Sequence, residues 1–351
     1  MKQFRNTVIR AGLEALYFSG AHYLLRPILS GVGAVFMLHH VRPARTADFQ
    51  PNRHLAVTPA FLRAALAHLK SRDIDIVTMD EMHERLSNRN FARRFACFTF
   101  DDGYRDNRDF ALPVMREFAA PFTCYVASDF AEGTGRLWWI AIETVIARAA
   151  AIEVPIGGTP VRMDISTAPL KQAAFDRLHD WLRGLSGHDL QREVAALCAR
   201  HGVDQDALCR DLCMSWDELK ALAADPLVTI GGHTISHCNL AHQSEETARE
   251  EITVSRARIE DRLQRGVLHL AYPYGDRLAA GAREFALARS CGYKTAVTTR
   301  PGMLFAENAD HLTALPRVSL NGNYQDARVL PVLTSGAATA MWNGFRRVDA
   351  A

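Results

Sequence analysis

Short apolar runs recur along the chain and alternate with amphipathic helical patterns. Most of these runs are apolar throughout, which is typical of strands that are covered on both faces. The predicted strands are Ala34–Leu38, Ile74–Thr78, Ala96–Phe100, Phe122–Ala127, Leu227–Ile230, Val267–Ala271, Lys294–Thr298 and Leu312–Leu315. This alternation predicts parallel βα units, and seven or eight strands favour a closed barrel over an open sheet.

Three of the predicted helices have recognisable ends. Thr58 followed by Pro59 is typical of an N-cap with proline at the first helical position. A second helix is predicted to begin at Ser244, where two glutamates complement the helix dipole. A third is predicted over Ala280–Ser290 and ends before Gly292. These helices supply the α parts of the βα units.

The alternation stops between about residues 131 and 225, where helical patterns dominate. We expect this segment to be a helical insertion on one loop, because barrels of this kind vary by loop insertion. The expected barrel spans residues 31–335. It follows an N-terminal amphipathic helix at 1–30 and precedes a loosely held tail at 336–351.

Composition and charge exclude several classes of protein. The chain is 48% hydrophobic and 23% charged, as in an ordinary globular protein, and its formal charge of +2 does not indicate nucleic-acid binding. The seven cysteines show no disulfide or zinc-knuckle spacing, which favours a reducing, cytoplasmic compartment.

The N-terminus has basic residues, Lys2, Arg5 and Arg10, before an apolar stretch. Glu14 and His22 interrupt that stretch and no cleavage motif follows, so we expect neither a signal peptide nor a transmembrane helix. Two interpretations stay open. The segment is either a helix packed on the bottom of the barrel or a basic amphipathic helix that lies on a membrane surface.

Two adjacent carboxylates, Asp101 and Asp102, end an apolar strand in the run Thr99–Tyr104. Adjacent residues leaving a strand point in different directions, so one acid can bind a metal while the other faces a substrate. The alternative is a strand-to-turn junction, since Asp-Gly is a common turn dipeptide.

A pair of histidines, His233 and His237, follows the predicted strand that ends at Ile230. At positions i and i+4 they are predicted to share one face of a helical turn and one cation. The alternative is two unrelated surface histidines. With a carboxylate they form a ligand set that suits one divalent ion, zinc in the first place and cobalt or nickel otherwise.

Two further motifs also follow predicted strands. His39 and His40 follow the first strand, and the turn Tyr272-Pro273-Tyr274-Gly275 follows the sixth. A rigid turn at Pro273 could aim the Tyr274 N–H at a developing oxyanion, and the tyrosine rings could line a sugar site. In a βα barrel, all residues that follow strands lie on the catalytic face.

The chain resembles the NodB-homology polysaccharide deacetylases (carbohydrate esterase family 4), which have a distorted (β/α) barrel of about seven strands. Thr99–Tyr104 is similar to the family motif T-F-D-D-G-Y, and His233–His237 is similar to H-[ST]-x-x-H. The resemblance implies that Asp101 is the general base, that Asp102 and the two histidines hold the metal, and that Tyr274 is an oxyanion donor.

The chain departs from the family pattern at two places. Ala271 stands where the family often has an arginine that holds the catalytic aspartate, and Arg317 is the candidate to replace it. An ordinary surface salt bridge is the alternative for Arg317. The late histidine that commonly supplies the general acid is also missing, because His311 precedes a strand. A family subset has an early Y-H-x-V histidine instead, which implies His39 as the acid and His40 as second choice.

The resemblance implies metal-dependent removal of N-acetyl groups from amino sugars in an oligo- or polysaccharide, such as a chitooligosaccharide. Two alternatives stay open: a deacetylase or deformylase of a lipid-linked amino sugar, and a non-catalytic sugar-binding module. Trp138 and Trp139 in the insertion are candidates for a sugar-stacking lid. Asn52, Arg53 and His54 are candidates to reach the substrate from the loop after the first strand.

Overall fold

The computed structural model describes the backbone of residues 2–350 and the side chains of residues 6–350. Its strands are β1 (Gly33–Leu38), β2 (His40–Val41), β3 (Ala56–Val57), β4 (Asp75–Ile76), β5 (Phe95–Phe100), β6 (Phe122–Val126), β7 (Ala151–Ile156), β8 (Thr159–Asp164), β9 (Val228–Gly232), β10 (His269–Ala271), β11 (Thr295–Pro301) and β12 (Leu315–Ser319).

The helices are α1 (Lys2–Phe18), α2 (Ala21–Leu29), α3 (Pro59–Lys70), α4 (Met79–Ser87), α5 (Leu112–Glu117), α6 (Ser128–Ala131), α7 (Trp138–Arg148), α8 (Ala168–Arg183), α9 (Gly187–Arg200), α10 (Gln205–Leu212), α11 (Trp216–Ala223), α12 (Glu245–Leu263), α13 (Ala282–Ser290), α14 (Val329–Thr334) and α15 (Ala337–Trp342). The predicted N-caps form, since Thr58 Oγ1 accepts from the Phe61 N–H and Ser244 Oγ accepts from the Thr247 N–H.

Within the described residues, seven parallel strands close into a barrel in the order β1, β12, β11, β10, β9, β6, β5. The pairing of β1 with β5 closes the ring, with Val35 opposite Cys97. Strand β4 pairs with the first two residues of β5 and is not one of the seven strands of the ring. The predicted distorted barrel is therefore confirmed.

Alternate residues of the strands divide between the barrel interior and the surrounding helices. Side chains from six strands meet in one interior cluster: Val35, Cys97, Tyr125, Ala271, Val297 and Leu315. The neighbouring positions, such as Phe36 and Phe98, face outward and pack with the helices, for example with Leu62 of α3. Every residue of β1, β5 and β6 is buried, which explains why these strands lack polar alternation.

The last strand differs from its prediction. The run predicted at Leu312–Leu315 is mostly a turn, in which the Ala314 N–H donates to the His311 carbonyl, and β12 occupies Leu315–Ser319. Pro316 and Arg317 interrupt the apolar pattern, and both are nevertheless inside the strand. A buried arginine is stable in a strand only when its charge and N–H groups have partners. The neighbouring sequence does not show these partners.

The segment between β6 and β9 contains helices α6 to α11 and an antiparallel hairpin of β7 and β8. Gly157 and Gly158 form its turn with φ values of 64° and 82°, which only glycine adopts freely. The hairpin adds two strands to the mainly helical insertion that the sequence predicts, and a Gly-Gly pair between two short runs is a hairpin signal. This segment has its own buried cluster, which includes Trp138, Leu178 and Val194.

The two chain ends pack against each other. The expected single N-terminal helix is two helices, α1 and α2, separated at Gly20 with φ at 70°. The side chains of Lys2 and Arg5 lie outside the described residues. Beyond residue 336 the chain forms α15, and the Asp349 carboxylate accepts from Arg300 and Arg277. Among the described helices, none is both long and apolar enough to cross a membrane.

Candidate active site

The polar residues singled out in the sequence meet at the carboxyl ends of the barrel strands. Asp101 and Asp102 follow β5, His39 follows β1, and His233 follows β9. The Asp101 N–H donates to the Leu38 carbonyl at 3.0 Å, so the ends of β5 and β1 are in direct contact. The carboxyl ends of parallel strands meet at one face of a barrel, as the sequence argument required.

Asp102, His233 and His237 form a compact set of buried donors. Their ligand atoms all lie within 4.8 Å of one another. Asp102 Oδ1 is 3.4 Å from His233 Nε2 and 3.3 Å from His237 Nε2. Two imidazoles and one carboxylate can bind one divalent metal ion and leave coordination positions free for a substrate.

The hydrogen bonds around these residues also fit a metal ion. The His233 Nδ1–H donates to the Ala271 carbonyl at 2.7 Å, which leaves the lone pair on Nε2, facing Asp102. Asp102 Oδ1 is buried and has no hydrogen-bond partner among the described residues. Burial raises the pKa of the Asp102 carboxyl, but in the metal-free state, with the imidazoles protonated on Nε2, their hydrogen bonds and charge outweigh burial and hold this pKa well below its usual range.

The segment His233–His237 is not the predicted helical turn. Thr234 and His237 have φ values of 66° and 58°, and the His237 N–H donates to Thr234 Oγ1 at 3.1 Å. The backbone of Asp102 is also in the left-handed region, with φ at 73°. Such conformations cost about 1–3 kcal/mol each in residues other than glycine and concentrate at functional sites. Glu251 of α12 holds this loop by accepting the Ile235 and Ser236 N–H groups.

Asp101 is bound by Arg317 through two parallel hydrogen bonds. Arg317 Nη1 and Nη2 donate to Asp101 Oδ1 and Oδ2, each at 2.7 Å. Arg317 is only 1% exposed, and two further N–H groups donate to the Thr298 carbonyl and to Thr99 Oγ1. Burial raises the pKa of Asp101, but the charge and hydrogen bonds of Arg317 outweigh burial and keep this pKa low. The pair is thus in the interior and is not a surface salt bridge.

The two adjacent histidines have different environments. His39 Nε2 is 3.9 Å from Asp101 Oδ2, and the His39 side chain is 19% exposed. His40 is 1% exposed, and its Nδ1–H donates to Asp106 Oδ2 at 2.7 Å. Its ring stacks on Tyr104 with 3.6 Å between the ring centroids. Of the two, His39 is therefore the one placed between Asp101 and solvent.

Tyr274 lies beside His237 at the end of β10, with 5.2 Å between the ring centroids. Its φ is 60°, and its N–H donates to no acceptor within the part of the chain that the structure describes. Its hydroxyl accepts from Trp138 Nε1–H at 2.9 Å, and the Arg183 guanidinium stacks over its ring. Tyr272, by contrast, is fully buried and donates to the Thr313 carbonyl, so it does not line a sugar site.

Trp138 and Trp139 do not form an exposed lid. They are only 2% and 7% exposed, respectively. The Trp139 ring packs 5.1 Å from the ring of His237, one of the candidate metal ligands. Asn52 is also buried, and it donates to the Trp139 carbonyl and to Glu143, so it supports the insertion instead of reaching a substrate. No local signal in the sequence indicated these contacts.

A groove of about 350 Å³ extends from His237 and Tyr274 along the insertion. Its walls come from α6, the loop between α8 and α9, and the loop after β9. The polar lining residues include Asp129, Arg136, Arg183, His188, Gln191, Asn239, His242 and Gln243. Amides, imidazoles and guanidinium groups at hydrogen-bonding positions suit a hydroxyl-rich ligand.

The fold and the site together define a class of protein, and sequence comparison identifies the same class. The family described as Polysaccharide deacetylase matches residues 88–296, which is more than half of the chain. The chain therefore belongs to the polysaccharide deacetylase family. No curated protein matches the chain.

Solved structures share the fold at low sequence identity. The deacetylase PplD of Streptococcus pyogenes, in complex with acetate, superposes with a TM-score of 0.55 and 17% identity, covering 83% of this chain and 92% of that chain. A polysaccharide deacetylase of Bacillus cereus superposes with a TM-score of 0.52 and 18% identity, covering 82% of this chain and 65% of that chain. IcaB of Ammonifex degensii superposes with a TM-score of 0.50 and 16% identity, covering 82% of this chain and 91% of that chain.

Proposed function

We propose that this protein is a metal-dependent hydrolase that removes N-acetyl groups from amino sugars within an oligo- or polysaccharide, such as a chitooligosaccharide. The observation that carries this proposal is the separation of two adjacent carboxylates. Asp102 faces two histidines, whereas Asp101 is bound by Arg317. One carboxylate is therefore available as a metal ligand and the other as an ionised base.

Asp102, His233 and His237 would hold one divalent ion, for which zinc is the first choice and cobalt or nickel are alternatives. The bound ion would supply Lewis-acid polarisation of the amide carbonyl. Because the three donors are buried and His233 is oriented by the Ala271 carbonyl, little rearrangement is needed for binding.

The remaining steps are assigned to residues of the chain. Asp101 takes a proton from the water that attacks the amide carbon, and Arg317 keeps Asp101 ionised and oriented. The Tyr274 N–H donates to the oxyanion that forms on the former carbonyl oxygen. His39 donates a proton to the leaving amine, so that acetate and a free amino sugar are released.

The proposal is tested with the purified full chain and N-acetylglucosamine oligomers. We expect equal release of acetate and free amine after loading with zinc, and loss of both after chelation. His233→Ala removes one donor and is expected to abolish release and metal binding together. A zinc-loaded protein that binds the oligomers without releasing acetate would instead be a non-catalytic sugar-binding module.

A lipid-linked amino sugar is the second candidate substrate. The exposed apolar residues of the N-terminal helices, such as Leu24 and Ile28, favour a position at a membrane, where the active site would take the part of a lipid-linked saccharide that extends away from the lipid. Turnover of a lipid-linked N-acyl amino sugar, compared with its free headgroup, separates the two candidates. Release of formate instead of acetate would identify a deformylase.

A further inference from the structure

Helices α2 and α15, near the two chain ends, pack against each other and carry exposed apolar side chains. On α2 and in the last residues of the chain, six large apolar side chains are each more than half exposed: Tyr23, Leu24, Ile28, Met341, Trp342 and Phe345. A Cβ at Gly336 would lie 1.9 Å from the Leu29 carbonyl oxygen, so the close approach of these helices requires glycine there. We call this surface the terminal face.

The two stretches that carry the terminal face contain arginines and no acidic residue, although Arg347 pairs with Glu307 from the segment before β12 at 3.6 Å. The sequence contains no Asp or Glu between Glu14 and Asp48, nor between Asp326 and Asp349. These two stretches include α2 and α15. Beside α2, a shallow depression is lined by Arg26, Arg72 and Arg94 together with His22 and His68, and none of its described lining residues is a carboxylate.

We infer that the terminal face docks on the surface of an anionic phospholipid bilayer. Exposed apolar side chains surrounded by arginines, with Tyr23 and Trp342 among them, are typical of a surface that inserts into the headgroup region. A second copy of this chain is disfavoured as the occupant, because pairing two such faces would bring arginines of the same charge together. No described helix spans a membrane, so the contact is peripheral.

The strand directions fix the orientation of the docked protein. Helix α2 leads into the amino end of β1, and Arg72 and Arg94 precede β4 and β5. The terminal face therefore lies at the amino ends of the barrel strands. Asp101 and His233 follow strands and lie at the opposite ends. A protein docked in this way holds its candidate active site away from the bilayer, facing polymer that extends from the surface.

The test is co-sedimentation of the full chain with vesicles of phosphatidylcholine, alone or mixed with phosphatidylglycerol. We expect binding to the mixed vesicles that weakens with added salt, because the arginines contribute. Leu24→Ser with Ile28→Ser leaves the charge unchanged and is expected to weaken binding by about tenfold or more, since two apolar anchors are lost. Arg26→Gln is expected to weaken binding to the mixed vesicles only.

The control is Leu170→Ser, which alters a leucine of α8 that is 39% exposed, in the insertion that leaves the barrel at the carboxyl end of β6, opposite the terminal face. It is expected to bind vesicles like the unaltered chain. All variants are compared by thermal unfolding and metal content, so that a folding defect is recognised. Absence of binding to the mixed vesicles, or equal binding by the Leu24 and Ile28 variant, overturns the inference. A dimer in light scattering that the same variant dissociates would also overturn it, in favour of a second copy.

Discussion

Two neighbouring aspartates in this site have different chemical roles because they leave a strand in different directions. Asp101 points toward Arg317 and Asp102 points toward His233 and His237. Both carboxylates are buried, so each is stable as an anion only with its own partners. The local sequence predicted this division, whereas the identity of the partner of Asp101 depended on a residue more than two hundred positions away.

Asp101→Asn tests the general base. We expect the variant to keep its metal, since Asp102 and both histidines are intact, and to lose about 10²–10⁴-fold in turnover. It also leaves a buried guanidinium unpaired, which costs about 3–5 kcal/mol in unfolding free energy. Metal content, thermal unfolding and acetate release are measured together. Near-normal turnover by a folded, metal-loaded variant would remove Asp101 from the mechanism.

His39→Gln tests the general acid. An amide needs a proton on its leaving amine, whereas a 4-nitrophenyl ester does not. We therefore expect His39→Gln to lose amide hydrolysis while it retains most esterase activity. His40→Gln removes the buried partner of Asp106 and is expected to lower thermal stability and to reduce both activities by the same factor. If His40→Gln alone changed the ratio of the two activities, His40 would be the acid.

At the scale of elements, the insertion between β6 and β9 reaches into the site. Trp138 of α7 donates a hydrogen bond to the Tyr274 hydroxyl, and the Arg183 guanidinium of α8 stacks over the Tyr274 ring. Trp139 packs on His237. Tyr274 has a left-handed backbone, so its N–H direction depends on such contacts. The insertion is therefore part of the support of the site as well as a wall of the groove.

Trp138→Phe tests this support. The substitution keeps the ring packing and removes the hydrogen bond to Tyr274, which is worth about 0.5–1.5 kcal/mol. We expect kcat to fall about twofold to tenfold with unchanged metal content. Tyr274→Phe keeps the backbone N–H and serves as the other arm of a double-mutant cycle. Additive effects of the two substitutions would show that the hydrogen bond does not act on catalysis.

Several elements were predictable and others were not, for physical reasons. Strands β1, β5 and β6 are uniformly apolar and were recognised within a residue of their observed bounds. Strand β12 was displaced because its arginine is stabilised only by tertiary contacts. The spacing of His233 and His237 predicts a helical turn, because spacing does not report the left-handed φ values of Thr234 and His237.

For the whole molecule, metal binding is expected to contribute to stability. The three candidate donors come from the ends of β5 and β9, and a cation that binds only the folded state would join them. At a metal concentration one hundred times Kd, the gain is about 2.7 kcal/mol. We expect a chelator to lower Tm by several degrees, measured by calorimetry.

The chelator effect has matched controls within one loop region. His237→Ala removes a donor and is expected to abolish the change in Tm. His242→Ala alters a histidine outside the donor set and is expected to preserve it. An equal chelator effect in both variants would mean that the metal binds elsewhere.

The fold class followed from the pattern of the whole chain, and the site followed from where its motifs stand in that pattern. Alternation of strands and helices predicts a barrel, and a barrel brings residues after strands to one face. What the pattern does not contain is packing between distant parts of the chain. The insertion contacts at Tyr274, the buried tryptophans and the terminal face all depend on such packing.

The Asp101–Arg317 pair has a consequence for folding while the ribosome synthesises the chain. The carboxylate is synthesised early, but the guanidinium that neutralises it belongs to the last barrel strand. Until that strand has left the exit tunnel, the ring lacks the strand between β1 and β11, and burial of Asp101 would leave an uncompensated anion, which is strongly unfavourable. Partial chains therefore gain little from burying the end of β5, and only a chain complete through β12 gains the full stability of the barrel.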